Sequence, residues 1–176
     1  MLNKEADFRQ ESVLDVAKKM CLAARTAPKA KGLDLLELAV LTGDSILKLS
    51  NKMKGIGEKE SHQTFLRDAE SIKNAQAVVL IGTRIKTIGL KYCSFCGYQD
   101  CAANEAAGAI CVYNPGDLGI AIGSAVSIAE DHRIDNRIMY SAGKAAVEAQ
   151  LLGEEVRIAF GIPLSVSGKN PFFDRK

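Results

Sequence analysis

Apolar positions along this chain recur first at helical spacing and then in short unbroken runs, so helices and buried strands follow from the pattern. Val13, Val16, Ala17, Met20 and Ala24 share one face of a helix over roughly residues 5 to 24, which Pro28 and Gly32 bring to an end. "DLLELAVLTG" is an apolar run closed by Gly43 and predicts a core strand. Asp44 is placed to cap a helix with Ile46, Leu49 and Met53 on one face, and beyond "GIGEK" a second helix carries Phe65, Leu66, Ala69 and Ile72. "AQAVVLIGT" predicts a second buried strand. The stretch "DLGIAIGSAVSIAEDHR" opens on Asp117 and is apolar nearly all round, which predicts a helix inside the domain, with Gly119 and Gly123 allowing close backbone approach. A further helix is expected from about Asn136 to Leu152, carrying Ile138, Ala142, Ala145, Ala149 and Leu152, and "EEVRIAFGIP" predicts a third strand. Leu164 to Lys176 reads as an extended tail without a core of its own. The pattern predicts an α+β fold, one domain over residues 1–176, whose tail packs on a neighbouring subunit in a homodimer.

Composition changes this picture little. A chain of 176 residues, 47% apolar and 25% charged, has the material for one soluble domain. Lys and Arg number 23 against 21 acids, and a net charge of +2 gives no electrostatic case for nucleic acid or a membrane surface as partner. "MLNKEADFRQ" lacks the apolar region of a secretory signal, and the run Leu118 to Ala129 falls short of the roughly 20 residues a spanning helix needs. The expected location is the cytoplasm, where structural disulfides are rare.

That expectation bears on the chemistry, because four of the five cysteines lie within "KYCSFCGYQDCAANEAAGAICVYN", residues 91–114. An odd count and a reducing compartment favour metal binding over disulfides. Cys93, Cys96, Cys101 and Cys111 have the spacing C-x2-C-x4-C-x9-C. A C-x2-C turn places two sulfurs on one side of a tight loop, within reach of iron or zinc. Gly97 allows a backbone conformation closed to other residues and lets amides point toward sulfur. Structural zinc more often uses two C-x2-C knuckles, whereas here the second pair is split by nine residues, so an iron-sulfur cluster is favoured, with structural zinc and unliganded redox thiols the alternatives. Cys21 lies on the apolar side of the first helix and reads as a small hydrophobe.

Cys93, Cys96, Gly97 and Cys101 match one for one the C-x2-C-G-x3-C pattern of corrinoid iron-sulfur proteins and related anaerobic redox enzymes. In that resemblance "AANEAAG" stands where an alanine-rich helix would be, and Cys111 is the fourth ligand after a shorter gap. More widely, "ARTAPKAKG", "DLGIAIGSAVSIAEDHRIDNR" and "GIPLSVSGKNPFFDRK" resemble a family of bacterial and archaeal ferredoxin-domain proteins. A fainter resemblance is to FMN-dependent nitroreductases, dimeric proteins that bind flavin at the subunit interface. There an early helix runs into a segment of the form A-P-S-x-x-N; here Pro28 matches and Lys29 stands where serine is usual. The resemblance implies three layers, helices around a small sheet, and a cysteine-rich loop carrying the cluster. The paired N-terminal arginines of that family are absent, with only Arg9 nearby, which leaves Arg25, Lys29, Lys31, Lys169 and Arg175 as candidate contacts to an anionic cofactor.

Other polar signals carry less. "GIPLSVSGKN" separates Gly161 and Gly168 by six residues and leaves no room for a following helix, so it is no phosphate loop. "EDHRIDNR" concentrates His132, Asp131, Asp135 and two arginines between two helices and reads as a solvated connection, as His62 reads as a surface residue. No triad order or paired carboxylates point to a hydrolase. The expected function is a redox protein whose [4Fe-4S] cluster passes electrons, with a bound FMN as the further cofactor that the nitroreductase resemblance implies, and whose partner is a redox protein or a small electron acceptor. A zinc-stabilised binding module and an iron-sulfur redox sensor are the alternatives.

Overall fold

The computed structural model describes residues 2–173. In chain order the elements are α1 (Glu5–Thr26), a 3-10 turn (Ala30–Gly32), β1 (Leu36–Leu41), α2 (Asp44–Lys59), α3 (Gln63–Ile72) and β2 (Ala77–Arg84). They continue with α4 (Cys101–Ala106), α5 (Tyr113–Asp131), β3 (Asp135–Asn136), α6 (Tyr140–Glu148) and β4 (Val156–Ser165). The strands form one antiparallel sheet in the order β1-β2-β4-β3, with Leu36 opposite Thr83 and Ala77 opposite Leu164.

The unbroken apolar run of β2 follows from its place in the middle of the sheet, because both of its faces are covered. Successive side chains point to opposite faces. Ala77, Val79 and Ile81 join Val13, Val16, Met20, Leu118, Ala121 and Ala125 in a core beneath α1 and α5. Val78 and Leu80 join Leu49, Met53, Phe65, Ile72, Ala142 and Ala145 in a second core beneath α2, α3 and α6. The molecule therefore has the expected three layers, a small sheet between two layers of helices. Each large side chain so buried contributes about 1.5–3 kcal/mol of transfer free energy.

Where the elements differ from the sequence pattern, a particular contact explains it. "GIGEK" does not interrupt α2. Gly57 lies inside the helix because a Cβ there would come within 2.7 Å of Leu66 Cδ2, so the glycine serves the packing of α2 on α3. Gly43, with φ +51, precedes α2, and Asp44 is its first residue and not its cap. Asp117 does not cap a helix either: α5 starts at Tyr113 and Asp117 lies in its second turn. α5 is buried on one side only, since Gly116, Gly119, Ile120 and Gly123 are exposed and a Cβ on Gly119 or Gly123 would meet nothing within 4 Å. The helix expected from Asn136 is shorter because residues 135–139 run along β4: Met139 and Gly161 exchange backbone bonds of 2.8 and 3.0 Å. Ile138 and Ala149 are thus exposed outside α6. The tail packs on its own chain as far as Phe173. Leu164 belongs to β4, the Arg137 guanidinium donates to the Phe172 carbonyl, and Phe172 is 2% exposed.

The cysteine loop occupies residues 85–112, between the end of β2 and the start of α5. It leaves the sheet at the edge where β1 begins, the end opposite to the C-terminal tail.

Candidate cysteine site

Cys93 and Cys96 lie on the loop, Cys101 is the first residue of α4 and Cys111 lies between α4 and α5. All four line one cavity of about 340 Å³ with Ile88, Leu90 and Tyr113. Cys111 is buried and the other three are half-buried, and none of the five cysteines is in a disulfide. Tyr92 (φ 54), Ser94 (φ 52) and Gly97 (φ 85) take left-handed backbone around the first two thiols. Alternation of left- and right-handed residues turns neighbouring N–H groups to one side, as in the backbone concavities that hold anions and iron-sulfur clusters. α4 is short but well started: the Asp100 carboxylate accepts from the Ala103 N–H at 2.8 Å, which fixes the orientation of Cys101.

A single zinc ion holds its sulfurs at about 2.3 Å in a tetrahedron. Among the described residues no three His, Cys, Asp or Glu side chains are gathered for one ion. Four thiols around the wall of a shared cavity are a donor set with room for a larger, polynuclear group, and soft thiolates suit iron and sulfide.

Three polar side chains on α5 and α4 tie the cysteine loop and the turn after α1 in place, and of these the sequence pattern singled out only Asp117, as a helix cap. Asn114, 1% exposed, pairs with the backbone of Lys86, accepting its N–H at 3.2 Å and donating to its carbonyl at 3.0 Å. The Asp117 carboxylate accepts the Ala30 N–H at 3.2 and 3.0 Å, tying the turn after α1 to α5. Asn104 is also 1% exposed and donates to the Ile110 carbonyl. The available signal was an Asn and an Asp within an otherwise apolar helix, where unpaired polar groups are costly. Tyr113 stacks on Phe95 with centroids 6.4 Å apart. Its phenol is held above the usual tyrosine range, by desolvation first and then by the Cys93 thiol beside it. Cys21 is separate, on α1, where burial pushes its thiol up against the opposing charge of Arg25.

The candidate cofactor contacts do not form one group. Arg25, Pro28, Lys29 and Lys31 lie around the turn after α1, next to the cysteine loop. Arg25 donates to Asp34 at 2.6 Å and to the Leu36 carbonyl at 3.0 Å. Lys29 donates to the carbonyls of Ala24, Arg25 and Ala27, using the three donors of its ammonium to finish α1. Among the described residues Lys31 reaches only the Gly89 carbonyl, at 3.5 Å. Pro28 lines an open depression of about 380 Å³ with Phe95, Val112, Tyr113, Gly116 and Ile120. Lys169 lies after β4, at the far end of the sheet, and Arg175 lies outside the described residues. The two histidines are also apart: His62 is within 3.1 Å of the Tyr140 hydroxyl, and His132 contacts Lys19 and the Ile128 carbonyl.

Asp34 makes a pH dependence testable. Burial works to raise its pKa, but hydrogen bonds from Arg25 and the Leu36 N–H and the charge of Lys29 outweigh it and hold the carboxyl below its usual range. A carboxyl depressed in the folded state contributes stability above its unfolded value, about 3.9, and loses it as pH falls through the lower folded value. Arg25→Gln should therefore destabilise the protein at pH 7 by an amount below about 1 kcal/mol, since the pair is partly exposed. Urea titration should find that difference shrinking at acid pH to the part owed to the Leu36 carbonyl; a constant difference would mean the pair is not its source.

Residues 107–175 match the family described as uncharacterized proteins containing a ferredoxin domain, DUF2148. A relative from Archaeoglobus fulgidus, described as an uncharacterized protein, is 40% identical over 184 residues, covering 99% of this chain and 98% of the relative. The chain belongs to this ferredoxin-domain family. The matched stretch takes in Cys111 and leaves Cys93, Cys96 and Cys101 before it. Among solved structures, nitroreductase CinD from Lactococcus lactis in complex with nicotinic acid is similar at TM-score 0.59 and 16% identity, over 98% of this chain and 86% of that one. A putative nitroreductase in complex with FMN from Desulfovibrio desulfuricans gives TM-score 0.58 at 11% identity, over 92% and 78%. A BluB-like flavoprotein from Clostridium difficile 630 gives 0.57 at 19%, over 89% and 81%. The ferredoxin-domain chain thus has the fold of the nitroreductases. No helix among its described residues is long and apolar enough to cross a membrane.

Proposed function

We propose that the protein is a cytoplasmic redox protein in which Cys93, Cys96, Cys101 and Cys111 hold a [4Fe-4S] cluster. The observation that carries this reading is the convergence of four free thiols, from the loop, the start of α4 and the segment before α5, on one cavity. Such a cluster supplies one-electron transfer. The chain's part is to hold four thiolates, to shield Cys111 and to turn loop amides toward sulfur, and these set the potential. Anaerobic reconstitution with iron and sulfide, followed by metal analysis and electron paramagnetic resonance of the reduced protein, tests the reading. About four irons and four sulfides per chain support it. One zinc per chain without sulfide decides for the structural module.

A second reading is supported by the fold, since several structural neighbours are flavoproteins and one is in complex with FMN. FMN would bind beside the turn at Pro28–Lys31, next to the cysteine cavity, in a homodimer. The exposed strip of Val112, just before α5, and of Gly116, Gly119, Ile120 and Gly123 on it supports self-association there. A dimer would also allow one protomer's Lys169 to approach its partner's loop, which a single chain with Lys169 at the far end of the sheet does not offer. FMN titration of the anaerobic protein should give one flavin per chain. Lys169→Ala with Arg175→Ala should weaken binding by roughly tenfold or more, as charge-assisted contacts are worth about 1.5–3 kcal/mol. Failure of FMN to bind at millimolar concentration removes the flavin.

A further inference from the structure

Tyr113 opens α5 on a fixed frame. Next to it, the buried Asn114 pairs with both backbone groups of Lys86, and one turn on, Asp117 accepts the Ala30 N–H. These two polar side chains pin the first turns of α5 to the loop after β2 and to the turn after α1, so the backbone at Tyr113 has little freedom. Its ring is held as well. It stacks on Phe95, which lies between Cys93 and Cys96 in the C-x2-C turn, with 6.4 Å between centroids and 30° between planes. Val112 and Tyr113 line both the cysteine cavity and the open depression at Pro28, and so form the wall between them.

The phenol has acidic neighbours: the Cys93 thiol beside it, then Cys111 and Asp117. Negative charge on such groups keeps a phenol protonated, and a protonated phenol is a hydrogen-bond donor. The other two hydroxyl side chains of the cavity are turned elsewhere. Ser94 donates to the Gln99 carbonyl at 3.0 Å, and Tyr92 is fully exposed. Lys91 and Gln99 are exposed, and the Asp100 carboxylate is taken by the Ala103 N–H. Tyr113 is thus a rigidly held O–H group beside one of four candidate ligand sulfurs.

We propose that Tyr113 tunes the iron-sulfur centre through Cys93: its hydroxyl donates a hydrogen bond to the Cys93 sulfur when that sulfur binds iron, and so favours the reduced centre. The inference rests on the cluster reading above. Reduction adds one electron and changes no ligand, and part of the added negative charge falls on the sulfurs. A donor aimed at sulfur therefore stabilises the reduced form more than the oxidised form and raises the potential. Tyr113 acts through Cys93 and is a positioning residue, not a ligand.

A redox titration tests this on the intact protein, reconstituted with iron and sulfide without oxygen, reduced by dithionite through mediators and followed by electron paramagnetic resonance. Tyr113→Phe keeps the ring and its stack on Phe95 and removes only the oxygen, so iron and sulfide contents should stay as in the parent. The ratio of reduced to oxidised centre at a given applied potential should fall by at least about threefold, less than a hydrogen bond to a charged group is worth. In the resonance Raman spectrum the iron–cysteine stretch should move to higher frequency, because a sulfur freed of a donor binds iron more strongly. 3-Fluorotyrosine at position 113, a more acidic phenol of nearly the same size and a stronger donor, should shift the ratio the other way, and it decides the question if Tyr113→Phe takes up no centre. A loaded Tyr113→Phe protein whose ratio falls by less than about threefold, or a loaded fluorotyrosine protein whose ratio does not rise, would overturn the proposal while the cluster reading stands. A parent protein that takes up no iron and sulfide would overturn both.

Discussion

Replacing Cys93, Cys96 or Cys101 singly by serine should remove most of the iron and acid-labile sulfide that the reconstituted protein carries. Cys111→Ser should weaken or destroy the same centre, and Cys21→Ser should change neither content. The split follows from where the sulfurs are. Four line one cavity and the fifth lies on α1 against the α1–α5 core. A serine hydroxyl is a hard, weakly acidic donor and a poor substitute for thiolate on a soft metal-sulfide core. At Cys21 the change only places a hydroxyl in a partly buried site, at a cost of about 1 kcal/mol. The comparison must be anaerobic, because exposed thiolates oxidise once the metal is lost. Iron retained in full by two or more of the four loop variants would mean that these sulfurs are not its ligands.

The fold was legible where one face of an element is buried and the rest is wet, as in α1, or where a strand is covered on both sides, as in β2. It was less legible where polar or small residues are used for tertiary contact. Asp44 and Asp117 both have the chemistry of a helix cap, yet the local sequence does not say that Asp117 is needed by the Ala30 N–H, 87 residues away. Glycines were read less well than the apolar positions. Gly55 and Gly57 read as a break and lie within α2, while the close approach that Gly119 and Gly123 allow is not made by any described residue of the same chain. The cysteines were identifiable because ligand spacing is a local property. The pairing of Asn114 with the Lys86 backbone was not, since it joins a helix to a loop 28 residues earlier that only the folded chain brings together.

Gly143→Ala should be among the most destabilising single changes in the chain. α6 crosses β4 so closely that a Cβ at position 143 would fall 1.8 Å from the Ala159 carbonyl oxygen and 2.6 Å from the Phe160 Cα. Both are backbone atoms in a strand paired to β2, so neither can swing aside as a side-chain tip would. The helix must lift by more than an ångström, which opens the core where Ala142, Ala145 and Ala146 are fully buried. Overpacking a tight core costs typically 1–3 kcal/mol, and a backbone clash of this depth belongs at or above the upper end. At roughly 2–4 °C per kcal/mol for a chain of this size, the midpoint should fall by about 6 °C or more. Gly123→Ala is the control, because alanine in an exposed helix position without neighbours should stabilise by about 0.5–1 kcal/mol. If the α5 face is covered by a second copy, the control instead lowers self-association measured by sedimentation. A midpoint for Gly143→Ala within 2 °C of the parent would mean that α6 does not press on β4 in solution as closely as these atoms do.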